Sequence, residues 1–89
     1  MEKILLMIES ALEYDMDRDE ENNRLFIDCG KLGIVVFIYM EYDILEIRHR
    51  RGDKGVATRV SVTDLLARKI DLSKVLDYYI LQGWAVLNG

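Results

Sequence analysis

The sequence predicts a single α+β domain over residues 1–89, ordered α-β-β-β-β-α-α, in which a four-stranded antiparallel meander packs against an N-terminal helix and two C-terminal helices. Three observations predict it. Apolar residues recur at helical spacing near both ends of the chain. Between those ends, from Arg24 to Val62, the period changes to two. Finally, the turn residues that interrupt the middle stretch are spaced so that all of them imply one strand register.

Residues Glu2 to Tyr14 place Ile4, Leu5, Ile8, Ala11 and Leu12 on one side and Glu9 and Glu13 on the other, the pattern of an amphipathic helix. The next segment, Asp15 to Asn23, has no periodicity, is strongly acidic and ends in two asparagines suited to turns. A solvated loop is expected there. The strands come next, and parity fixes their pairing. The link Gly30-Lys31-Leu32-Gly33 sets Cys29 opposite Ile34, Ile27 opposite Val36 and Leu25 opposite Ile38. A tight turn at Tyr42-Asp43 sets Met40 opposite Leu45, Ile38 opposite Ile47 and Val36 opposite His49. The loop Arg51 to Lys54 sets His49 opposite Val56, Ile47 opposite Thr58 and Leu45 opposite Val60. All three turns agree on one inward face, and a slip of one residue at any of them would push charges into the core.

Thr63 is placed to cap a short helix from Asp64 to Ile70. Asp71 or Ser73 then starts the last helix, with Leu72, Val75, Leu76, Tyr79 and Ile80 as its apolar stripe and Gly83 as its expected stop. The tail Trp84-Ala85-Val86-Leu87 is too apolar for a free end and is expected to pack back on the core or pair as an added strand.

Composition narrows the function. No apolar run approaches the length of a membrane span, and Glu2, Glu9 and Glu13 argue against a secretory signal, so a cytoplasmic address with no membrane partner is expected. The single Cys29 excludes an internal disulfide and reads as a small strand residue. Net charge is −4, but residues 1–43 carry eleven acids and four bases whereas residues 44–89 carry five acids and eight bases. Such asymmetry permits electrostatic docking between copies and argues against a uniformly basic nucleic-acid binder.

No motif identifies a reaction. His49 lies alone on the inward face, neither Cys29 nor any serine has a base beside it, and the glycines bound turns and form no phosphate loop, so no enzyme and no cofactor are expected. Asp15, Asp17 and Asp19 match the first ligand positions of a calcium loop, but Glu20 stands where glycine is needed and Phe26 where the bidentate glutamate belongs, so no metal is expected.

The outward face of the sheet is the first candidate surface. It carries Phe26, Val35, Phe37, Tyr39 and Ile44, with Arg48, Arg50 and Arg59 toward one edge. Phe37 sits across from Phe26 and Arg48, which suits an aromatic pair and a cation–π contact worth about 0.5–1 kcal/mol. Helices covering both faces, a protein interface, and a platform for single-stranded nucleic acid all account for such a face. The expected function is a small non-enzymatic protein-binding module of adaptor or inhibitor type, in size and class compatible with those of phages and mobile elements. It self-associates, as a homodimer, through the outer face or the tail. Partner-binding residues are then Phe26, Val35, Phe37, Tyr39 and Trp84, together with the acidic side chains Asp15, Asp17, Asp19, Glu20 and Glu21, which suit a basic partner. The alternative is nucleic-acid binding through Arg48, Arg50, Arg51, Lys54 and Arg59.

Overall fold

The structure, a computed structural model, describes residues 1–67 and 71–88. Its elements are α1 (Lys3–Ala11), β1 (Asp17–Asp19), β2 (Arg24–Cys29), β3 (Ile34–Glu41), β4 (Ile44–Arg51), β5 (Lys54–Ser61), α2 (Val62–Ala67) and α3 (Leu72–Asn88). The class is the expected α+β, with an N-terminal helix and C-terminal helices. The antiparallel sheet, however, has five strands in sequential order and not four.

Every pair read from parity forms: Cys29 faces Ile34, Val36 faces His49, and Leu45 faces Val60. The turns enforce it. Each two-residue link takes a positive φ at its first residue, Tyr42 at +55° and Gly52 at +61°, as tight hairpins between twisted strands require. The four-residue links resemble each other. Asn23 and Gly33 end them at φ +52° and +66°, and in each the last N–H donates to the first carbonyl at 3.3 Å.

The extra strand, β1, comes from the segment expected to be a loop. Its three residues are all charged, so hydrophobic periodicity has nothing to report. Asp17, Arg18 and Asp19 pair with Phe26, Leu25 and Arg24. In this register Arg18 shares the inward face with Leu25, and its guanidinium reaches Glu9 of α1, Nε to Oε2 at 2.8 Å and Nη2 to Oε1 at 2.6 Å. A short edge strand with an inward-pointing charge deters pairing with a further chain.

The helices cover one face only. Leu25, Ile34, Val36, Ile38, Leu45 and Ile47 bury themselves against Leu5 and Ile8 of α1 and Leu76 and Ile80 of α3. Packing on both faces, one account of the outer aromatics, is therefore not how this sheet is built. α1 stops at Ala11 and not at Tyr14. Leu12 turns extended (φ −90°, ψ 139°) and enters the core, and the Tyr14 ring meets Trp84 edge-on at 5.7 Å while its hydroxyl donates to Asp77.

α2 begins two residues earlier than expected, and Thr63 is not its cap. Ser61 Oγ accepts from the Asp64 N–H at 3.3 Å, and Asp43, from the β3–β4 turn, accepts from both the N–H (3.1 Å) and the hydroxyl (2.9 Å) of Thr63. The expected end of this helix, Arg68 to Ile70, lies outside the described residues. α3 is capped by Asp71, whose Oδ1 accepts from the Ser73 N–H at 3.0 Å. The tail packs on the core through Trp84 and Leu87, as helix and not as an added strand, because α3 runs through Gly83 to Asn88 and Gly83 is no stop. The reason is His49. A Cβ at Gly83 would overlap the imidazole, so glycine is the residue that lets α3 lie close over β4.

Candidate functional site

The uncovered sheet face is a grid set by the strand register. One row runs Asp17, Phe26, Phe37, Arg48, Ala57; the next runs Asp19, Arg24, Tyr39, Glu46, Arg59. Phe26, Val35, Phe37 and Tyr39 are half-buried, because charged neighbours lie over and between them. Phe26 and Phe37 pair at 6.3 Å between ring centres. The cation over Phe37 is Arg24, at 5.0 Å, and not the Arg48 expected there. Glu46 draws Arg48 away, Nε to Oε2 at 3.3 Å, and also holds Arg59 at 2.8 Å, while Arg24 is steadied by Asp19 at 2.8 Å. Glu46 is buried under these two arginines, which no spacing in the sequence signalled.

A shallow trough of about 670 Å³ crosses this face diagonally, from Asn22, Arg24 and Tyr39 past Phe37 to Arg48, Arg50 and Lys54. It exists because the outward positions of β5 at this end are Gly55 and Ala57, which leave the β4 arginines uncovered.

The structure divides the basic hairpin. Arg48 and Arg50 project outward, whereas Arg51 shares the inward register of His49 and reaches the end of α3, Nη1 to Leu87 O at 3.3 Å and to Asn88 Oδ1 at 3.0 Å. There it satisfies a terminal carbonyl and opposes the helix dipole, so it belongs to the scaffold. Arg50 Nε donates to Gly52 O at 3.1 Å, within its own turn. Among the described residues neither Arg50 nor Lys54 has a carboxylate within ion-pair distance.

The acidic residues collect at the opposite edge. Asp15, Asp17, Glu20 and Glu21 are exposed around β1, and the Asp19 carboxyl is lowered from its ordinary pKa by hydrogen bonds from Asn22 and Arg24. Trp84 is half-buried against Tyr14 and does not lie on the solvent side of α3. That side carries Tyr78, Leu81 and Val86, which are 57%, 49% and 62% exposed. From Tyr78 to Asn88 no residue is charged, a signal present in the sequence but hidden by reading Gly83 as a stop.

His49, Cys29 and Tyr14 differ in burial. His49 is fully buried, donates Nε2–H to Ile80 O at 2.8 Å, and leaves Nδ1 without a partner; burial pushes its pKa below the ordinary value. Burial likewise pushes the Cys29 thiol up, away from the reactive thiolate. Burial, then the bond to Asp77, pushes the Tyr14 hydroxyl up. Among the described residues no group of three His, Cys, Asp or Glu side chains converges as metal ligands would, and no helix is long and apolar enough to cross a membrane. Compared with known proteins, the chain matches no family model, no curated protein and no solved structure.

Proposed function

We propose that this protein is a small, non-catalytic protein-binding module that works in the cytoplasm and self-associates through the solvent side of α3. The observation that supports it is the uncharged stripe Tyr78, Leu81, Ala85 at helical spacing, flanked by Val86. Exposed apolar groups gathered on one helix side mark contacts more often than scattered ones do. A second copy is the fitting occupant. The stripe carries no charge from Tyr78 to Asn88, so two copies can meet along it without like charges opposing one another. A stripe without charge also offers nothing to select a different, charged partner. The exposed acids around β1 then remain free for a basic partner of the assembled protein.

Light scattering at high micromolar concentration tests this reading. The native chain is expected to run as a dimer, Leu81→Glu as a folded monomer, and Phe37→Asp, on the opposite face, as a dimer. A native monomer, or a dimer indifferent to Leu81→Glu, overturns it.

A further inference from the structure

We propose that the trough on the uncovered sheet face binds single-stranded nucleic acid, with Arg48, Arg50 and Lys54 on its phosphates and Tyr39 and the Arg24–Phe37 pair under its bases. This goes beyond self-association and uses a different surface.

Charge is the first argument. The trough is lined by four cationic side chains and one carboxylate, Asp53; Arg24 and Arg48 are paired with Asp19 and Glu46 beside it, so Arg50 and Lys54 supply the uncompensated charge, in a chain whose net charge is −4. A basic strip on an acidic protein is a local feature that needs its own account. Arg50 and Lys54 have no carboxylate partner among the described residues, and Arg50 is braced through Nε to Gly52 O, which leaves both terminal nitrogens for an anion. Arginine in this arrangement suits the planar, bidentate recognition of phosphate.

The second argument is the aromatic floor between the two cationic ends. Tyr39 lines the trough, and Phe37 lies beneath the Arg24 guanidinium at 5.0 Å. Bases stack on aromatic rings and on guanidinium groups alike. An acidic peptide would satisfy the cations but would make no use of this floor.

Shape is the third. The trough crosses β2, β3, β4 and β5, from Arg24 to Ala57. An extended single strand fits it, and unstacked bases are available only in a single strand. Glu46 opposes anion binding at the site. Its carboxylate holds Arg48 at 3.3 Å and adds a negative charge beside the phosphate path, so it limits affinity.

Fluorescence anisotropy with labelled twelve-residue oligo-dT and oligo-U, at 50 and 200 mM salt, tests the proposal. Three phosphate contacts on a single strand predict an affinity loss of roughly 20-fold between these salts. Arg50→Glu with Lys54→Glu should abolish most binding, Tyr39→Leu should weaken it about 5- to 150-fold by removing one stack, and Glu46→Gln should tighten it. Each variant is checked by circular dichroism; Arg50 and Lys54 are exposed, whereas Glu46 is buried. Arg51→Glu, on the helix side, should leave affinity unchanged. The proposal is overturned by undetectable binding at 50 mM salt, by duplex binding as well as the single strand, or by Tyr39→Leu binding normally. Polyglutamate competing as well as unlabelled oligonucleotide overturns it too and leaves a general anion surface.

Discussion

Gly83→Ala is the substitution that separates helix propensity from packing in this molecule. Propensity alone predicts a gain of about 0.8–1.0 kcal/mol, since Gly83 lies inside α3. The contact with His49 reverses the sign. A methyl at this position overlaps the imidazole, which is fully buried. Overpacking costs roughly 1–3 kcal/mol. If the ring shifts and loses its bond to Ile80 O, an unpaired buried donor adds about 1–3 kcal/mol. The net expectation is a loss of roughly 0–2 kcal/mol if the bond to Ile80 O survives and roughly 1–5 kcal/mol if it breaks, and a loss near 3 lowers the melting temperature by roughly 12–24 °C. Urea unfolding followed by circular dichroism measures it. His49→Ala supplies the control, because the methyl then enters the space the ring vacates. The double variant should be more stable than the two single losses combined imply, by at least about 1 kcal/mol. A stabilised Gly83→Ala, or losses that simply add, would refute the packing argument.

Acidification should weaken the fold in two steps. His49 is held neutral with its pKa lowered below 6.5, so the unfolded chain takes up the proton first, and stability present above about pH 6.5 falls as the pH drops, by at most about 1.4 kcal/mol per unit. Urea midpoints at pH 7.5 and 5.5 read this, and His49→Gln should flatten the difference. Asp43, Asp71 and Asp19, whose folded pKa values are lowered from 3.8, add a second loss only as the pH falls below about 4. Tyr42 is 90% exposed at φ +55°, so Tyr42→Asn relieves left-handed strain without losing a packing contact and should add about 0.5–1 kcal/mol, read as a higher melting temperature. Arg51→Ala should remove the terminal partner of α3, costing about 0.3–1 kcal/mol and speeding amide exchange in the last turn of that helix.

Strand register is legible because side-chain period in a strand is two and the inward residues of β2 to β4 are mostly aliphatic, from Leu25 and Ile27 through Ile34, Val36 and Ile38 to Leu45 and Ile47. β1 was not legible, since Asp17-Arg18-Asp19 forms through backbone pairing and through one arginine meeting Glu9, a contact nine residues distant that no local pattern encodes. Gly83 is ambiguous in the sequence for a related reason. A glycine after an apolar helical stripe is the ordinary sign of a stop, and only the imidazole beneath it gives the other meaning. The outer-face aromatics were found from parity, but which arginine covers Phe37 depends on Glu46 competing for Arg48, and a competition between neighbours is not a sequence pattern. Arg51 could have been separated from Arg50 by the parity that already placed Leu45, Ile47 and His49 inward.

The two proposed surfaces constrain each other through the layering of the fold. α3 packs its buried side on β4 and β5, so Leu81 points away from the sheet and the trough opens on the far side of it. A dimer built through α3 therefore turns its two troughs outward and apart. A short strand occupies one trough without touching the second copy, so its affinity should be the same for the native chain and for Leu81→Glu, with one oligonucleotide per protomer. A strand too short to wrap around the dimer gains no second foothold, so lengthening it from twelve to about twenty nucleotides should bring no avidity, in contrast to the gain of orders of magnitude that two troughs on one side would give. A Leu81→Glu chain that binds the twelve-residue strand ten times more weakly would show the surfaces to be coupled, and the layer geometry would then have been misjudged.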